Sequence, residues 1–177
     1  MELFKTGIAT LTGGSGAVAV LLSEASLSPN GHRLRGGISR NAAAHHNLCL
    51  WGPGAGKPVD GTHVMKTDSV GVLKNGVVLG IETFQAFRKE LSLTDDKPDK
   101  VICHQVGAAH QKTILKSLGL PKEKDFTTFQ YLGNIGTVSL PITAAIAAER
   151  GFFDKNDLVG FFGIGSGLNC MMLGIEW

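Results

Sequence analysis

Apolar positions along the chain follow two patterns, continuous runs that are typical of buried strands and a three-to-four spacing that is typical of helices. The segment "GAVAVLLSEA" (residues 16–25) is apolar almost throughout and lies between glycine and "SPNG", which predicts a buried strand. Residues 32–43 predict a second, weaker strand. Residues 70–93 carry apolar side chains every three or four positions, which predicts an amphipathic helix despite the internal glycines.

The second half of the chain alternates short strands with helices. "DKVICH" (99–104) predicts a strand, and a helix over residues 107–118 is followed by glycine and then proline. Residues 125–132 predict an extended piece, and residues 138–151 a helix with proline in its first turn. Residues 158–177 predict two strands joined by a glycine turn. This order of elements predicts a single α/β domain with a layered sheet.

Glycine is in excess, at 24 of 177 residues, against about 7% in average proteins. The glycines lie in short groups without a period, which favours tight turns and makes residues 44–62 a long predicted loop. "GPGAGKP" (52–58) imitates a phosphate-binding P-loop, but Trp51 and Pro58 stand where that motif needs glycine and Ser or Thr. "GIGSG" leads into a strand and not a helix, which disfavours a dinucleotide loop.

Charge and cysteine content narrow the class of protein further. The formal net charge is +2 and no basic stripe is present, so we expect no nucleic-acid partner. No apolar run approaches about 18 residues, so we expect no membrane span, and residues 1–12 lack the pattern of a signal peptide. Cys49, Cys103 and Cys170 have no disulfide or zinc spacing. We therefore expect a soluble cytoplasmic protein with reduced thiols and no metal or cofactor.

The histidines and cysteines, each taken alone, give no clear functional signal. His45 and His46 have no Cys, Asp or Glu at metal spacing, which favours a loop surface over a metal site. Cys103 precedes His104, but neighbours on a strand point to opposite faces, so a nucleophile–base pair is disfavoured. His104 by itself, at the end of an apolar strand, is more often structural than catalytic.

Four motifs taken in order carry more information than any of them alone. "TLTGGSGAVAVLLS" (10–23) precedes "VICHQVGAAHQ" (101–111), "GNIGTVSLPIT" (133–143) and "GIGSGLN" (163–169). This ordered set resembles the 3-oxoacyl-acyl-carrier-protein synthase III family of thiolase-like condensing enzymes, and the resemblance covers nearly the whole chain. It implies a thiolase-like layered α/β sandwich.

The resemblance also implies which residues carry chemistry. His104 matches the family's catalytic histidine and Asn134 its catalytic asparagine, while the turn at Gly165, Ser166 and Gly167 would offer a backbone N–H to an oxyanion. The family condenses acyl thioesters through an enolate, and a neutral histidine with an asparagine amide can donate two hydrogen bonds to its oxygen. The implied activity is therefore an acyltransferase acting on acyl-CoA or acyl-carrier-protein thioesters.

The chain departs from the family pattern where the nucleophile is concerned. The family's nucleophilic cysteine lies upstream of the strand that resembles residues 10–23, and none of the three cysteines here aligns with it. We therefore expect residues 1–31 to be the end of the N-terminal thiolase-like half and residues 32–177 to be the C-terminal half. The partner implied is the missing N-terminal half or a second subunit, with a dimer as the expected assembly and exposed apolar surface where that half would sit.

A second departure concerns the acyl donor. Carrier-protein-dependent members typically read "HQAN-x-R", whereas this chain reads "HQVGAAH", with Gly107 and Ala109 at the asparagine and arginine positions. This favours the branch that condenses two acyl-CoA molecules head to head. Two alternatives stay open, a non-catalytic subunit that pairs with a complete condensing enzyme and a small nucleotide-binding α/β domain.

Overall fold

The computed structural model describes residues 8–28, 31–52 and 64–177. Residues 8–12 are helical. The strands are β1 (Arg33–Asn41), β2 (Cys49–Gly52), β3 (Val64–Thr67), β4 (Lys100–Cys103), β5 (Leu158–Gly165) and β6 (Asn169–Glu176). The later α-helices are α1 (Ser69–Glu90), α2 (Ala108–Leu118), the single turn α3 (Phe129–Leu132) and α4 (Ser139–Glu149).

Four strands form one mixed sheet in the order β1-β6-β5-β4. The last two strands of the chain make an antiparallel hairpin, with Phe162 opposite Met172, and β1 adds to its outer edge antiparallel to β6. β4 pairs with β5 in parallel, with Cys103 opposite Phe162, so the chain between them must cross over the sheet. β2 and β3 form a separate two-stranded sheet.

The two faces of the four-stranded sheet bury two apolar cores. α1 lies across β1 and β6 and also contacts α2; its core holds a group of three phenylalanine rings in edge-on and stacked contact, Phe84, Phe87 and Phe162. α4 packs on the opposite face, against β4 and β5. The buried residues of that second core are Ile102, Ala144, Ala147, Phe153 and Val159.

The helix boundaries follow from local chemistry. The Asp68 side chain accepts a hydrogen bond from the N–H of Gly71 at 2.9 Å, so it caps the first turn of α1. Gly119 ends α2 in the left-handed conformation, with φ of 68°. The helices predicted over 70–93, 107–118 and 138–151 are thus confirmed, as are the strands predicted over 32–43, 99–104 and 158–177.

The strand predicted over residues 16–25 is wrong. The chain from residue 13 to residue 24 has no regular secondary structure, and the described residues offer no backbone hydrogen bond to residues 15–23. Its side chains are exposed, with Leu21 at 92% and Leu22 at 82%. A continuous apolar run becomes a buried strand only where neighbouring strands exist, and none lies beside it in the described part of the chain. The domain boundary at residue 31 stays a prediction.

Two shorter predictions also need correction. Residues 125–132 are not extended throughout, because Phe129–Leu132 form the single turn α3. The predicted loop over 44–62 begins instead with a 3-10 helix, Ala43–Leu48, followed directly by β2. Its "GPGAGKP" segment falls mostly outside the described residues. None of the described helices is long and apolar enough to cross a membrane.

Replacing Phe87 by alanine should test the first core. The ring is fully buried between α1 and the sheet, so Phe87→Ala should lower the free energy of unfolding by about 3–5 kcal/mol. Leu21→Ala is the control, because its side chain is 92% exposed and its effect should stay within about 0.5 kcal/mol. Urea unfolding followed by circular dichroism measures both, and equal losses would contradict this account of the core.

Candidate active site

His104 lies immediately after β4, where the apolar strand leaves the sheet. Its backbone N–H donates to the carbonyl oxygen of Phe162 at 2.9 Å, which extends the parallel pairing with β5 by one residue. Burial, with a smaller contribution from nearby His110, lowers the pKa of His104 below its ordinary value of 6.5. The imidazole is therefore neutral near pH 7 and can donate a hydrogen bond from one ring nitrogen.

Asn134 lies in the turn that leads into α4, as its place in the sequence predicts. Gly133 precedes it with φ of 64°, a left-handed conformation that favours glycine. The Asn134 Oδ1 accepts a hydrogen bond from the N–H of Gly136 at 3.0 Å. This bond fixes the orientation of the amide through its oxygen and leaves the Nδ2 group as the donor available to a ligand.

The turn between β5 and β6 is the third predicted element. Gly165 ends β5, Ser166 is exposed, and Gly167 has φ of 133°. The Asn169 side chain donates to the Ser166 carbonyl oxygen at 2.8 Å and so holds the turn from below. Within the described residues, the N–H groups of Ser166 and Gly167 have no backbone acceptor. They remain available to an anionic oxygen.

Sheet topology places these three elements at one edge. β4 and β5 are parallel, so His104 and the turn after Gly165 both follow the carboxyl ends of neighbouring strands. α4 leads back toward the start of β5, and its N-terminal turn therefore lies at the same edge. Gly163 near the end of β5 confirms this, because a Cβ built on it would lie 3.8 Å from the Leu140 side chain in the first turn of α4.

The described thiols do not supply a nucleophile at this edge. Burial, followed by the nearby carboxyl of Asp125, raises the pKa of Cys103 well above its ordinary value. Burial also raises the pKa of Cys170. Both side chains point into the core against α1, and Cys49 contacts the Thr67 hydroxyl at 3.5 Å on the separate β2–β3 sheet. The interpretation of Cys49 and Cys170 as packing thiols agrees with these positions.

Sequence reasoning missed two buried polar side chains beside His104. Gln105 is 1% exposed and Asp125 is 9% exposed. Asp125 accepts hydrogen bonds from the N–H of Cys103 at 3.2 Å and from the Gln111 amide at 2.8 Å, so it ties the end of β4 to α2. The only available signal was a polar residue next to apolar ones, which is too common to identify such a contact.

The predicted absence of a metal site concerns His45 and His46. Both lie in the 3-10 helix before β2, and His46 contacts the carbonyl oxygen of Ala43 at 3.1 Å. No group of three or more His, Cys, Asp or Glu side chains placed to hold a metal ion occurs among residues 8–28, 31–52 and 64–177.

Comparisons with known proteins agree with this geometry. The C-terminal domain model of 3-oxoacyl-[acyl-carrier-protein] synthase III matches residues 89–177. The chain is 49% identical to an acyl-CoA:acyl-CoA alkyltransferase of Shewanella oneidensis, over 100% of this chain and 52% of that protein. Two crystal structures from Xanthomonas species also match.

The first is a cysteine-to-serine variant of Xanthomonas campestris OleA with bound lauric acid and lauroyl-CoA, at a TM-score of 0.88 and 35% identity over 99% of this chain and 50% of that one. The second is 3-oxoacyl-(acyl carrier protein) synthase III, FabH, of Xanthomonas oryzae, at a TM-score of 0.77 and 35% identity over 88% and 43% of the two chains. The chain thus spans about half the length of these relatives.

The mixed sheet, its two helical layers and these matches define a thiolase-like condensing-enzyme fold. Within that class, the chain belongs to the 3-oxoacyl-acyl-carrier-protein synthase III family and corresponds to the C-terminal half of its relatives.

Asp125 should make the free energy of unfolding depend on pH. Burial raises the pKa of Asp125 from 3.8 to about 6. The folded chain then holds this proton more tightly than the unfolded chain, so the stabilisation is fully present below about pH 4 and is lost as the pH rises through about 6. The stabilisation lost over this pH range corresponds to roughly 3 kcal/mol of unfolding free energy.

Asp125→Asn removes this ionisation while its amide oxygen can still accept from Cys103. Urea unfolding at about pH 4 and about pH 7 should therefore show a smaller loss of stability with rising pH in the variant than in the wild-type chain. Other titrating groups are shared by the two proteins and cancel in this comparison. Identical pH dependence in both would show that the Asp125 carboxyl does not bind its proton more tightly in the folded chain.

Proposed function

We propose that this chain supplies the histidine and asparagine of a Claisen-condensing site that joins two acyl-CoA molecules. The observation that carries the proposal is the position of a neutral, half-buried His104 and the Asn134 amide at the edge where β4 and β5 end. A half-buried imidazole and an oriented amide donor at one edge of the sheet are well suited to bind one oxygen atom.

The proposed reaction uses these donors to stabilise an enolate. A general base, supplied like the nucleophile by the half that this chain does not span, would take an α-proton from one acyl-CoA. The negative charge that develops on the thioester oxygen would then be stabilised by N–H groups of His104 and Asn134. The enolate carbon then forms a bond to the carbonyl carbon of a second acyl group held as a thioester. The resulting tetrahedral oxyanion would be bound by the backbone N–H groups near Ser166 and Gly167, until the thiolate leaves.

The preference for acyl-CoA over a carrier protein rests on the start of α2. Gly107 and Ala109 stand where carrier-protein-dependent relatives carry asparagine and arginine, so the cation that would bind an acidic carrier protein is missing at that position. The Shewanella and Xanthomonas campestris relatives are named for acyl-CoA or were crystallised with it. Both observations favour a CoA thioester as donor and acceptor.

The nucleophile would come from the half of the relatives that this chain does not span. The segment 16–24 supports such a partner, because it is mostly apolar and exposed, and its backbone lacks strand neighbours in the described chain. It is anchored at one end, where the N–H of Gly14 donates to the Asn134 carbonyl oxygen at 3.0 Å. Unpaired backbone groups of this kind are free to pair with a strand of another chain or segment.

A chimera tests the catalytic proposal. The N-terminal half of the Shewanella oneidensis relative, joined to this chain, should release CoA from lauroyl-CoA as it condenses two acyl groups. His104→Ala in the chimera should lower kcat by about a hundredfold or more, because the enolate loses a donor. His46→Ala removes an exposed histidine and should leave the rate unchanged.

The same assay separates the catalytic proposal from its alternative. Equal rates in the His104→Ala chimera and the parent would favour a subunit that shapes the pocket without taking part in chemistry. A chimera that condenses only acyl groups delivered on a carrier protein would overturn the choice of substrate and leave the catalytic pair in place.

The partner surface has its own test. Leu21 and Leu22 are exposed and would point to opposite faces of a strand, so Leu21→Lys and Leu22→Lys probe both faces. Each should weaken binding of the separately expressed N-terminal half in calorimetric titrations without changing the stability of this chain. Leu27→Lys, at an exposed residue beyond the segment, is the matched control. Wild-type affinity in both lysine variants would rule out this segment as the contact.

A further inference from the structure

Four polar side chains are almost completely buried between His104 and Asn134. Each side chain is 1% exposed or less. Burying a polar group is unfavourable unless it is hydrogen-bonded, so a connected set of four is a specific feature of this part of the fold. Its members are Gln105, Thr128, Thr143 and Ser139.

The set begins beside the histidine. The Gln105 Nε2 donates to the Cys103 carbonyl oxygen at 2.6 Å. This bond joins the residue before His104 to the residue after it. The Gln105 Oε1 accepts from the N–H of Thr128 at 3.0 Å and from that of Phe129 at 3.3 Å. The end of β4 is thereby fixed to the start of α3.

The middle of the set crosses to α4. The hydroxyl oxygens of Thr128 and Thr143 lie 2.6 Å apart. Thr143 has one hydroxyl proton and donates it to the Ser139 carbonyl oxygen at 2.7 Å, so Thr128 must be the donor in the bond between the two threonines. This is a direct side-chain bond between the segment next to Gln105 and the helix that follows Asn134.

The set ends beside the asparagine. The Ser139 hydroxyl oxygen accepts from the N–H of Ile135 at 3.0 Å, and Ile135 directly follows Asn134. The Asn134 amide oxygen in turn accepts from the N–H of Gly136. Hydrogen bonds and short covalent segments therefore connect the residue after His104 to the residue after Asn134 without passing through solvent.

We propose that Gln105, Thr128, Thr143 and Ser139 are positioning residues, and that this polar relay fixes the distance and orientation between His104 and Asn134. The inference rests on the proposed function, because it treats these two residues as donors to one oxygen atom. Two donors act on one enolate oxygen only when their separation is held closely, and a misplacement of about 1 Å can cost about a hundredfold in rate. Hydrogen bonds have a defined length and direction, so a chain of them constrains this separation and orientation more tightly than non-directional apolar contacts do.

The bond between the two threonines is the point at which to test the relay. Thr143→Val keeps the shape of the side chain and removes the hydroxyl that accepts from Thr128. Thr143→Ser keeps the hydroxyl and removes a methyl group. Two-dimensional ¹H–¹⁵N spectra of this chain then report the ring nitrogens of His104 and the side-chain amide of Asn134, neither of which is altered by the substitutions.

Thr143→Val should shift both sets of resonances, and Thr143→Ser should restore both toward the wild-type positions. Thr83→Val is the matched control, since Thr83 is also fully buried in a helix and its hydroxyl donates to the carbonyl four residues earlier, Leu79, at 2.7 Å. It belongs to α1 and lies outside the relay, so it should leave the resonances of His104 and Asn134 in place.

Unchanged resonances in Thr143→Val would overturn the proposal, as would equal shifts in Thr83→Val. If Thr143→Val does not fold, Thr128→Val removes the same bond from its donor and answers the question in its place. These spectra need no activity, so they test the relay even if the acyl-CoA chemistry proves wrong.

The chimera gives the functional counterpart. Thr143→Val should lower its kcat by up to about a hundredfold while KM changes little, because the relay acts on the transition state and not on acyl-CoA binding. Thr143→Ser should recover most of that loss. A rise in KM at constant kcat would show that the relay shapes the substrate pocket and does not position the catalytic pair.

Discussion

Parallel pairing of β4 with β5 is the constraint on which the rest of the molecule depends. The two strands are held along their length, from the bond between Asp99 and Leu158 at one end to that between His104 and Phe162 at the other. Because they run in the same direction, the chain must cross the sheet between them, and α4 does so on the face that α1 leaves open. Their carboxyl ends then meet at one edge, where the polar groups of the candidate site collect.

The environment of His104 shows how an apolar fold can hold polar chemistry. Burial keeps the imidazole neutral, and the same burial raises the pKa of Asp125, which sits on the neighbouring backbone. The Asp125 carboxyl accepts from the N–H of Cys103, and the Cys103 carbonyl oxygen accepts from the Gln105 amide, so the polar side chains next to His104 bond to backbone groups at the end of β4. The polar side chains of the candidate site are therefore held by a backbone that the sheet already fixes.

The sequence predicted the elements better than their surroundings. Local periodicity and residues such as Gly119 predicted helices α1, α2 and α4. The assignment of His104 and Asn134 to a site came from an ordered set of motifs and stays a prediction. The strand predicted over residues 16–25 was wrong because a continuous apolar run carries no information about which strands lie beside it. The structural roles of Gln105 and Thr143 could not be predicted, because their hydrogen bonds join residues that are 15 to 23 positions apart in the sequence.

One contact at the edge of the candidate site connects the exposed segment 16–24 to the turn that holds Asn134. Gly14 donates its N–H to the Asn134 carbonyl oxygen, and a Cβ built on Gly14 would lie 2.6 Å from the Ile135 side chain, so the chain just before the unpaired segment packs closely against the turn that holds Asn134. Under the proposed function, a partner that orders residues 16–24 would act on Asn134 through this contact. In that case thermodynamic reciprocity requires that a ligand which immobilises Asn134 strengthens the binding of the partner by the same factor.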